Sequence, residues 1–318
     1  MPGAVLPLAQ LVAVGRRGVV LRPSPASPGV VGVDLTSGCG IGCVYCPVRG
    51  AHDAGDDGFA LPFDPFTAES VQGALRAAGD SIRTVVMSPL SDPLPPLRAV
   101  RAEAVRVAEV VLAEGRELLV LTRGRFPRRL IDLLARYPDR ARVALGLFSL
   151  RKDLVRTLEP SAASPLGRIR DLAALVKAGV PVEVRLEPVI PGLTDTRENL
   201  VPLFRRLRDV GVSNLVVHYL FLHPSVETGL HAALDSLDFG NWLSTAYETG
   251  PQIRVGSLGV VRNLPREVRQ EGLARVMAWG AEFGLKVTTG IAQNPDLPRT
   301  APERARAQAG RSRPPGTR

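Results

Sequence analysis

All three cysteines of this 318-residue chain lie within eight positions, at Cys39, Cys43 and Cys46. The spacing C-x3-C-x2-C brings three thiolates into one loop, and three thiolates can hold three irons of a [4Fe–4S] cluster. The fourth iron then has no cysteine ligand, and an open coordination position is what a catalytic metal needs. The pattern therefore predicts a metal centre with one free position.

Other uses of these thiols fit the sequence less well. Three is an odd number, and spacings of three and two residues make poor disulfides within one loop. A Cys3His zinc site stays an alternative, with His52 as the nearest downstream histidine. No signal-peptide pattern and no membrane-length apolar run is evident, so we expect a cytoplasmic protein with no membrane partner, whose thiols stay reduced.

Predicted buried strands alternate with amphipathic helices along the chain. Strands are predicted at 31–36, 83–88, 117–122, 142–149, 181–187 and 214–221. Helices are predicted at 67–78, 96–114, 127–137, 165–179 and 195–211, followed by helices at 236–248 and 264–283 and a short strand at 285–289. This alternation predicts an α/β fold, a partial (β/α)6 TIM-type barrel with a C-terminal helical extension. Functional groups in such barrels lie at the carboxyl ends of the strands, where the cysteine loop follows the first strand.

Capping patterns sharpen two of the helix predictions. Ser164 is predicted to cap the helix that starts with Pro165. Asp195 and Glu198 resemble a capping box for the next helix. Pro202 is expected to interrupt that helix or to delay its start.

The chain divides into four predicted segments. Residues 1–30 form an arm that packs on the core, 31–225 the barrel, 226–298 the C-terminal extension and 299–318 a disordered basic tail. Within the barrel segment, residues 50–66 are rich in Gly, Asp and Pro and are predicted to be a loop. The net charge is +9, and the tail carries six arginines and one acid, so much of the charge lies there. We expect the tail to aid solubility or to contact phosphates nonspecifically.

Three cysteines in this spacing directly after the first strand of a six-unit β/α chain resemble the radical SAM superfamily. More closely, residues 30–225 are similar to its spore photoproduct lyase-like (DNA repair photolyase-like) group. The segments that carry this similarity are Ser88-Pro89-Leu90-Ser91-Asp92-Pro93, Thr122-Arg123, Leu158-Glu159-Pro160 and Pro188-Val189-Ile190-Pro191-Gly192-Leu193-Thr194-Asp195.

The resemblance implies an enzyme with a [4Fe–4S] cluster on the three cysteines and S-adenosylmethionine (SAM) on the fourth iron. It also implies a reductant such as flavodoxin or ferredoxin. Reductive cleavage of SAM would yield a 5′-deoxyadenosyl radical that abstracts hydrogen from the substrate, while the protein orients the cofactor.

The same resemblance implies roles for residues near the cysteines. Tyr45 is expected to contact the adenine, and its alternative is a hydrophobic plug over the loop. Ser88, Ser91 and Asp92 follow the second strand, where the family binds the SAM amino group, and these side chains can accept from an ammonium. Their alternative role is to cap a proline-rich turn.

Further candidates lie at the ends of later strands. Arg123 is expected to hold the SAM carboxylate, as a cation does in related lyases. Ser149 is a candidate for the ribose or carboxylate, unless it is an ordinary strand-end hydroxyl. Glu183, Arg185 and Glu187 alternate along one strand and so share a face. Because an outward polar row would be buried under helices, we expect the whole row to point inward, with contacts to SAM or substrate. Arg185 and Glu187 are the candidates for these contacts.

Three other residues have weaker patterns. His218 and Tyr219 are neighbours in a strand, so at most one of them faces the barrel interior. A lone strand histidine is more often structural than catalytic. Glu159 is expected to pair with Arg168.

One departure from the lyase group bears on the reaction. Spore photoproduct lyase uses a cysteine after the second strand to return a hydrogen atom, whereas residues 87–92 contain none. Repair by that route is therefore not expected, nor is an auxiliary thiolate-bound cluster. A nucleic-acid substrate is favoured by analogy with the group. The alternatives are modification of a peptide or small metabolite, and a non-enzymatic iron–sulfur or zinc-binding protein.

Overall fold

Helices and strands alternate along the chain as the sequence predicts. The structure is a computed structural model that describes residues 10–13, 21–24, 27–50, 60–240, 242–255, 259–290, 294 and 297. The strands are β1 (Gln10–Ala13), β2 (Arg22–Pro23), β3 (Val30–Val33), β4 (Ala60–Phe63), β5 (Thr84–Met87), β6 (Glu117–Thr122), β7 (Ala141–Gly146), β8 (Val182–Val189), β9 (Asn214–Tyr219), β10 (Gln252–Arg254), β11 (Val260–Arg262) and β12 (Lys286–Thr289). The helices are α1 (Pro47–Gly50), α2 (Thr67–Ala78), α3 (Arg98–Ala113), α4 (Arg128–Ala135), α5 (Lys152–Leu158), α6 (Pro165–Lys177), α7 (Arg197–Asp209), α8 (Glu227–Asp235), α9 (Trp242–Tyr247) and α10 (Arg266–Ala281).

The central sheet of the described residues has the order β12-β9-β8-β7-β6-β5-β3-β2. The six predicted barrel strands are neighbours in chain order and pair in parallel. Strand β12 adds a seventh parallel strand beside β9, and β2 pairs antiparallel with β3 at the other edge. The described sheet therefore has two edges, and the predicted partial barrel is confirmed. Because parallel strands share a direction, their carboxyl ends lie together on one side of the sheet.

Amphipathic helices cover the sheet and complete the core. In α3, Val100, Ala104, Val107 and Val111 are fully buried on one stripe, as the 3.6-residue period predicts. Burying each valine contributes roughly 1.5–3 kcal/mol. Gly115, which follows the helix, has φ +77, a conformation that glycine adopts without steric cost.

Two helix starts test the capping predictions. The Ser164 side chain accepts a hydrogen bond from the Gly167 amide at 3.2 Å, which confirms the predicted cap of α6. The cap predicted at Asp195 is wrong, because Thr196 caps α7. Asp195 instead accepts from the Gly192 amide and from the Tyr219 hydroxyl. Pro202 lies inside α7 without ending it.

Three further predictions need correction. Residues 60–63, predicted as loop, form β4, which pairs in parallel with β1 from the predicted arm. Helix α5 was not predicted, because seven residues are too few to show a clear helical period. Of the helix predicted at 236–248, residues 242–247 are helical as α9, and a turn in which Asp238 has φ +58 precedes them. Helix α8 at 227–235 was not predicted. The tail at 299–318 lies outside the described residues.

No helix in the described part of the chain combines the length and the apolar character that crossing a bilayer requires.

Candidate functional site

The cysteine loop follows β3 at the carboxyl edge of the sheet. Gly38 and Gly42 adopt positive φ, and the Thr36 hydroxyl donates to the Gly38 carbonyl at 2.7 Å, so the loop turns sharply. The Val44 amide donates to the carbonyl of Leu158 at 3.0 Å, which ties the loop to the end of α5. The sequence predicted this position, and the structure adds the attachment to α5.

None of the three cysteines forms a disulfide, and all three line one cavity of about 310 Å³. Burial, and then the charge of Asp92, raises the pKa of Cys39 to about 12. Burial also raises the pKa of Cys43 well above its usual value. The unbound thiols of Cys39 and Cys43 are therefore neutral at pH 7, and metal binding releases their protons.

The donor set fits a cluster better than a single ion. Among the described residues, no group of three or more His, Cys, Asp and Glu side chains converges on one ion. An iron–sulfur cluster takes one thiolate per iron, so its ligands do not have to converge. His52, the histidine of the zinc alternative, lies outside the described residues.

Tyr45 lines the cavity and is tied to a buried carboxylate. Its hydroxyl donates to Glu159, whose side chain is fully buried. The other oxygen of Glu159 pairs with Arg168, which is also fully buried, and this confirms the predicted pair. Arg168 also donates to the carbonyls of Ala163 and Gly146, so its guanidinium is well satisfied.

Arg123 connects this pair to the far wall of the cavity. Its Nε donates to Glu159 at 2.8 Å and its Nη2 to Glu187 at 3.0 Å. Its guanidinium carbon also lies 5.8 Å from the centre of the Tyr45 ring. Nη1 takes part in neither carboxylate contact. Arg123 is therefore held in place while it lines the cavity.

Glu187 and Arg185 face the cavity, as the alternation predicts for them. Glu187 Oε2 lies 3.1 Å from Arg185 Nη2 and 2.8 Å from His218 Nδ1. Burial opposes its ionisation, but Arg185, the hydrogen bond from His218 and Arg123 outweigh burial and hold the pKa of Glu187 well below its usual value. Glu183, the third member of the polar row, is not among the cavity-lining residues.

The serine and aspartate residues after β5 have different roles. Ser88 adopts φ +56, and its buried hydroxyl has no hydrogen-bond partner among the described residues. The Ser91 hydroxyl donates to Asp34 at 3.1 Å. Asp92 accepts from the Thr122 hydroxyl and from the Leu94 and Arg123 amides. All three line the cavity, and Asp92 also joins the loop to the end of β6.

Ser149 does not line the cavity. It is fully buried, and its hydroxyl donates to Asn199 Oδ1 at 2.6 Å. Asn199 in turn donates to the carbonyls of Phe148 and Thr194, so the group ties β7 to α7. The prediction that Ser149 contacts the cofactor is therefore not retained.

The sequence interpretation undervalued two residues. His218, set aside as structural, lines the cavity and contacts Glu187. Tyr219 also lines the cavity, while its hydroxyl donates to Asp195. Alternation along β9 places the His218 and Tyr219 side chains on opposite faces of the strand, but it does not show which of them reaches Glu187. Glu159 is the shared acceptor of Tyr45, Arg123 and Arg168. The sequence predicted its pair with Arg168 but not its contacts with Tyr45 and Arg123, because these two partners come from separate segments.

Comparison with known proteins agrees with this geometry. A family model described as the radical SAM superfamily matches residues 33–204, more than half of the chain. An uncharacterized protein of Mycobacterium tuberculosis is 28% identical over 196 residues, which are 59% of this chain and 58% of that protein. A radical SAM Nalpha-GlyT isomerase of Pseudomonas phage M6 is 29% identical over 258 residues, 79% of this chain and 51% of its own length. The chain thus spans less than two thirds of the length of these curated relatives.

Solved structures agree on the fold. A spore photoproduct lyase mutant with dinucleoside spore photoproduct superposes with a TM-score of 0.66 at 16% identity, covering 88% of this chain and 82% of that chain. Superfamily membership excludes the non-enzymatic alternative and implies SAM and an iron–sulfur cluster as cofactors. The chain belongs to the radical SAM superfamily and is an enzyme of that superfamily.

Proposed function

We propose that this enzyme holds a [4Fe–4S] cluster through Cys39, Cys43 and Cys46, binds SAM in the adjoining cavity and acts on a nucleic-acid substrate. The observation that carries the proposal is the cavity itself. It brings the three cysteine thiols together with the cationic Arg123 and Arg185 at the carboxyl edge of the sheet. When bound, the cluster and SAM supply a 5′-deoxyadenosyl radical for hydrogen abstraction.

The residues after β5 and β6 would bind the two charged ends of the SAM amino-acid moiety. Ser88 has a buried hydroxyl with no partner among the described residues, and Ser91 also lines the cavity, so both suit an ammonium group. Arg123 suits the carboxylate, because Nη1 takes part in neither of its carboxylate contacts. Asp92 would act by positioning, since its oxygens already accept three hydrogen bonds.

Tyr45 would contact the adenine from the cysteine loop. Its hydroxyl is already donated to Glu159, so its ring is held at the cavity wall. A ring held in this way can stack on a flat heterocycle with little further loss of side-chain entropy. Arg185 and Glu187 would contact SAM or the substrate from β8.

The nucleic-acid part of the proposal has two supports. The chain carries a net charge of +9, which favours association with a polyanion. A structural neighbour, a spore photoproduct lyase mutant, carries a dinucleoside photoproduct.

The chain has no cysteine outside the cysteine loop, so no further thiol is present to return hydrogen to the product.

Modification of a peptide or small metabolite is the second candidate. The cavity size favours it, because about 310 Å³ accommodates a small group. The apolar side chains of Leu121, Val255 and Val261 line the cavity and suit a compact, partly apolar substrate.

The decisive experiment uses anaerobically reconstituted protein that is reduced with dithionite and given SAM. We expect 5′-deoxyadenosine from the wild type and none from Cys43→Ala. Full iron content with no 5′-deoxyadenosine and no SAM-induced change in the cluster EPR spectrum would overturn the proposal. The nucleic-acid part predicts oligonucleotide binding that weakens steeply with salt, also after residues 299–318 are removed. No binding at low salt would contradict it.

A further inference from the structure

Two side chains on the β8–β9 wall of the cavity have polar atoms with no partner among the described residues. His218 is 6% exposed, and its Nε2 is buried and unpaired. Arg185 Nε is also buried and unpaired. Both residues line the cavity. Because unpaired buried polar atoms are rare and cost about 1–3 kcal/mol each, such atoms beside a cavity indicate a ligand.

Glu187 determines which nitrogen of His218 carries the hydrogen. Nδ1 lies 2.8 Å from Glu187 Oε2, and an ionised carboxylate can only accept, so Nδ1 is the protonated nitrogen. Arg185 Nη2 lies 3.2 Å from the same Nδ1, but both atoms are then donors, so this approach is not a hydrogen bond. In the neutral imidazole the lone pair is then on Nε2 of this cavity-lining residue.

The two unpaired atoms have complementary character. His218 Nε2 accepts, whereas Arg185 Nε can only donate. A phosphate or carboxylate satisfies the donor but has no hydrogen for the acceptor. The edge of each nucleobase presents an N–H beside an acceptor atom, which matches both. The ring of Phe221 also lines the cavity and offers a stacking surface for a base.

We propose that His218 and Arg185 form a recognition pair for an unpaired nucleobase of the substrate. His218 Nε2 accepts from an N–H of the base, and Arg185 Nε donates to the neighbouring acceptor atom. Glu187 is the positioning residue that sets the His218 tautomer. The proposal rests on the nucleic-acid part of the proposed function and names the group that this site reads.

Two substitutions of His218 separate recognition from structure. In His218→Asn, the amide takes the place of Nδ1 and keeps a donor for Glu187, but the acceptor at Nε2 is lost. In His218→Gln, the longer side chain carries a carbonyl oxygen near the Nε2 position and loses the Glu187 contact. If His218 recognises a base, His218→Asn should lose the recognition and His218→Gln should keep it. If His218 has only a structural role, the opposite result is expected.

The measurement is the affinity of the full chain, with its cluster reconstituted, for short single-stranded oligonucleotides. One pair of probes is oligothymidine with and without methylation at the base N3. The other is oligodeoxyadenosine with and without dimethylation of the amino group. We expect methylation to weaken binding of at least one pair to the wild type and to His218→Gln by about 3- to 10-fold, and not to affect binding to His218→Asn.

Equal affinities within both probe pairs would overturn the proposal. The same conclusion would follow if tetraglycine amide bound in a His218-dependent manner and neither oligonucleotide did, because the site would then read a peptide. Imidazole ¹⁵N NMR gives an independent test, since the chain has four histidines and His218→Asn assigns the signal. A protonated Nε2 in the wild type would contradict the proposal. If all oligonucleotides bind and methylation has no effect, only this inference is overturned. If no oligonucleotide binds, the proposed nucleic-acid substrate is overturned as well.

Discussion

Gly146 leaves the space that the Arg123 side chain occupies. A Cβ on Gly146 would lie 3.0 Å from Arg123 Cγ and 3.1 Å from its Nε. These distances are tighter than ordinary contacts, so a methyl group there would push the guanidinium away from its two carboxylate partners. The absence of a side chain at the end of β7 thus allows Arg123 to bridge Glu159 and Glu187.

Gly146→Ala is therefore expected to weaken SAM binding by about 3- to 10-fold through displacement of Arg123. Iron content should stay unchanged, because Gly146 lies at the end of β7 and is not part of the cysteine loop. Equilibrium binding of SAM to reconstituted protein measures the effect. Gly73→Ala is the matched control, since nothing lies within 4 Å of a Cβ at that helical position. Unchanged SAM affinity in Gly146→Ala would contradict the role assigned to Arg123.

Glu159→Gln is expected to destabilise the fold strongly. The substitution leaves Arg168, which is fully buried, without its counter-charge, and breaking a buried ion pair typically costs about 3–5 kcal/mol. Urea unfolding gives the free-energy difference. The control is Glu109→Gln, whose exposed pair with Arg129 should contribute less than about 1 kcal/mol. Similar small losses in both variants would contradict the stabilising role assigned to the buried pair of Glu159 and Arg168.

Ser149→Ala is expected to reduce stability without changing SAM affinity. Removing the hydroxyl leaves Asn199 Oδ1 without its donor in the interior, a loss of about 1–3 kcal/mol. The comparison variant is Ser88→Ala, which alters the cavity and should weaken SAM binding. Reduced SAM affinity in Ser149→Ala at unchanged stability would restore the contact that the sequence suggested.

Glu187 is expected to stabilise the fold in a pH-dependent manner. Its pKa is lower in the folded protein than in the unfolded chain, so its ionised form favours folding. The contribution is complete above the unfolded pKa of about 4.3 and is lost as the pH falls through the folded pKa. The difference in unfolding free energy between the wild type and Glu187→Gln should be constant from pH 7 to about 5 and shrink below about 4.3. A difference that grows on acidification would reverse the sign assigned here.

Local patterns in the sequence determined the class of protein and the order of its elements. The cysteine spacing indicated the metal loop, and the alternation of strands and helices predicted the six parallel strands. Alternation within β8 correctly directed Arg185 and Glu187 towards the cavity, because side chains of a strand point to opposite faces in turn. These features are local, since they depend on neighbours within a few residues.

Hydrogen-bond and ion-pair partners that are distant in the chain became known only from the tertiary structure. Ser149 meets Asn199 because α7 packs over the end of β7, and no pattern near Ser149 shows that. His218 and Tyr219 are both buried and both line the cavity, and only the packing of β9 beside β8 shows that His218 is the one that reaches Glu187. Glu159 collects Tyr45, Arg123 and Arg168 because three segments converge on it, and such convergence depends on sheet register and helix packing. The sequence thus indicates the chemistry of the cysteine loop, and the packing of strands and helices determines which residues surround that loop.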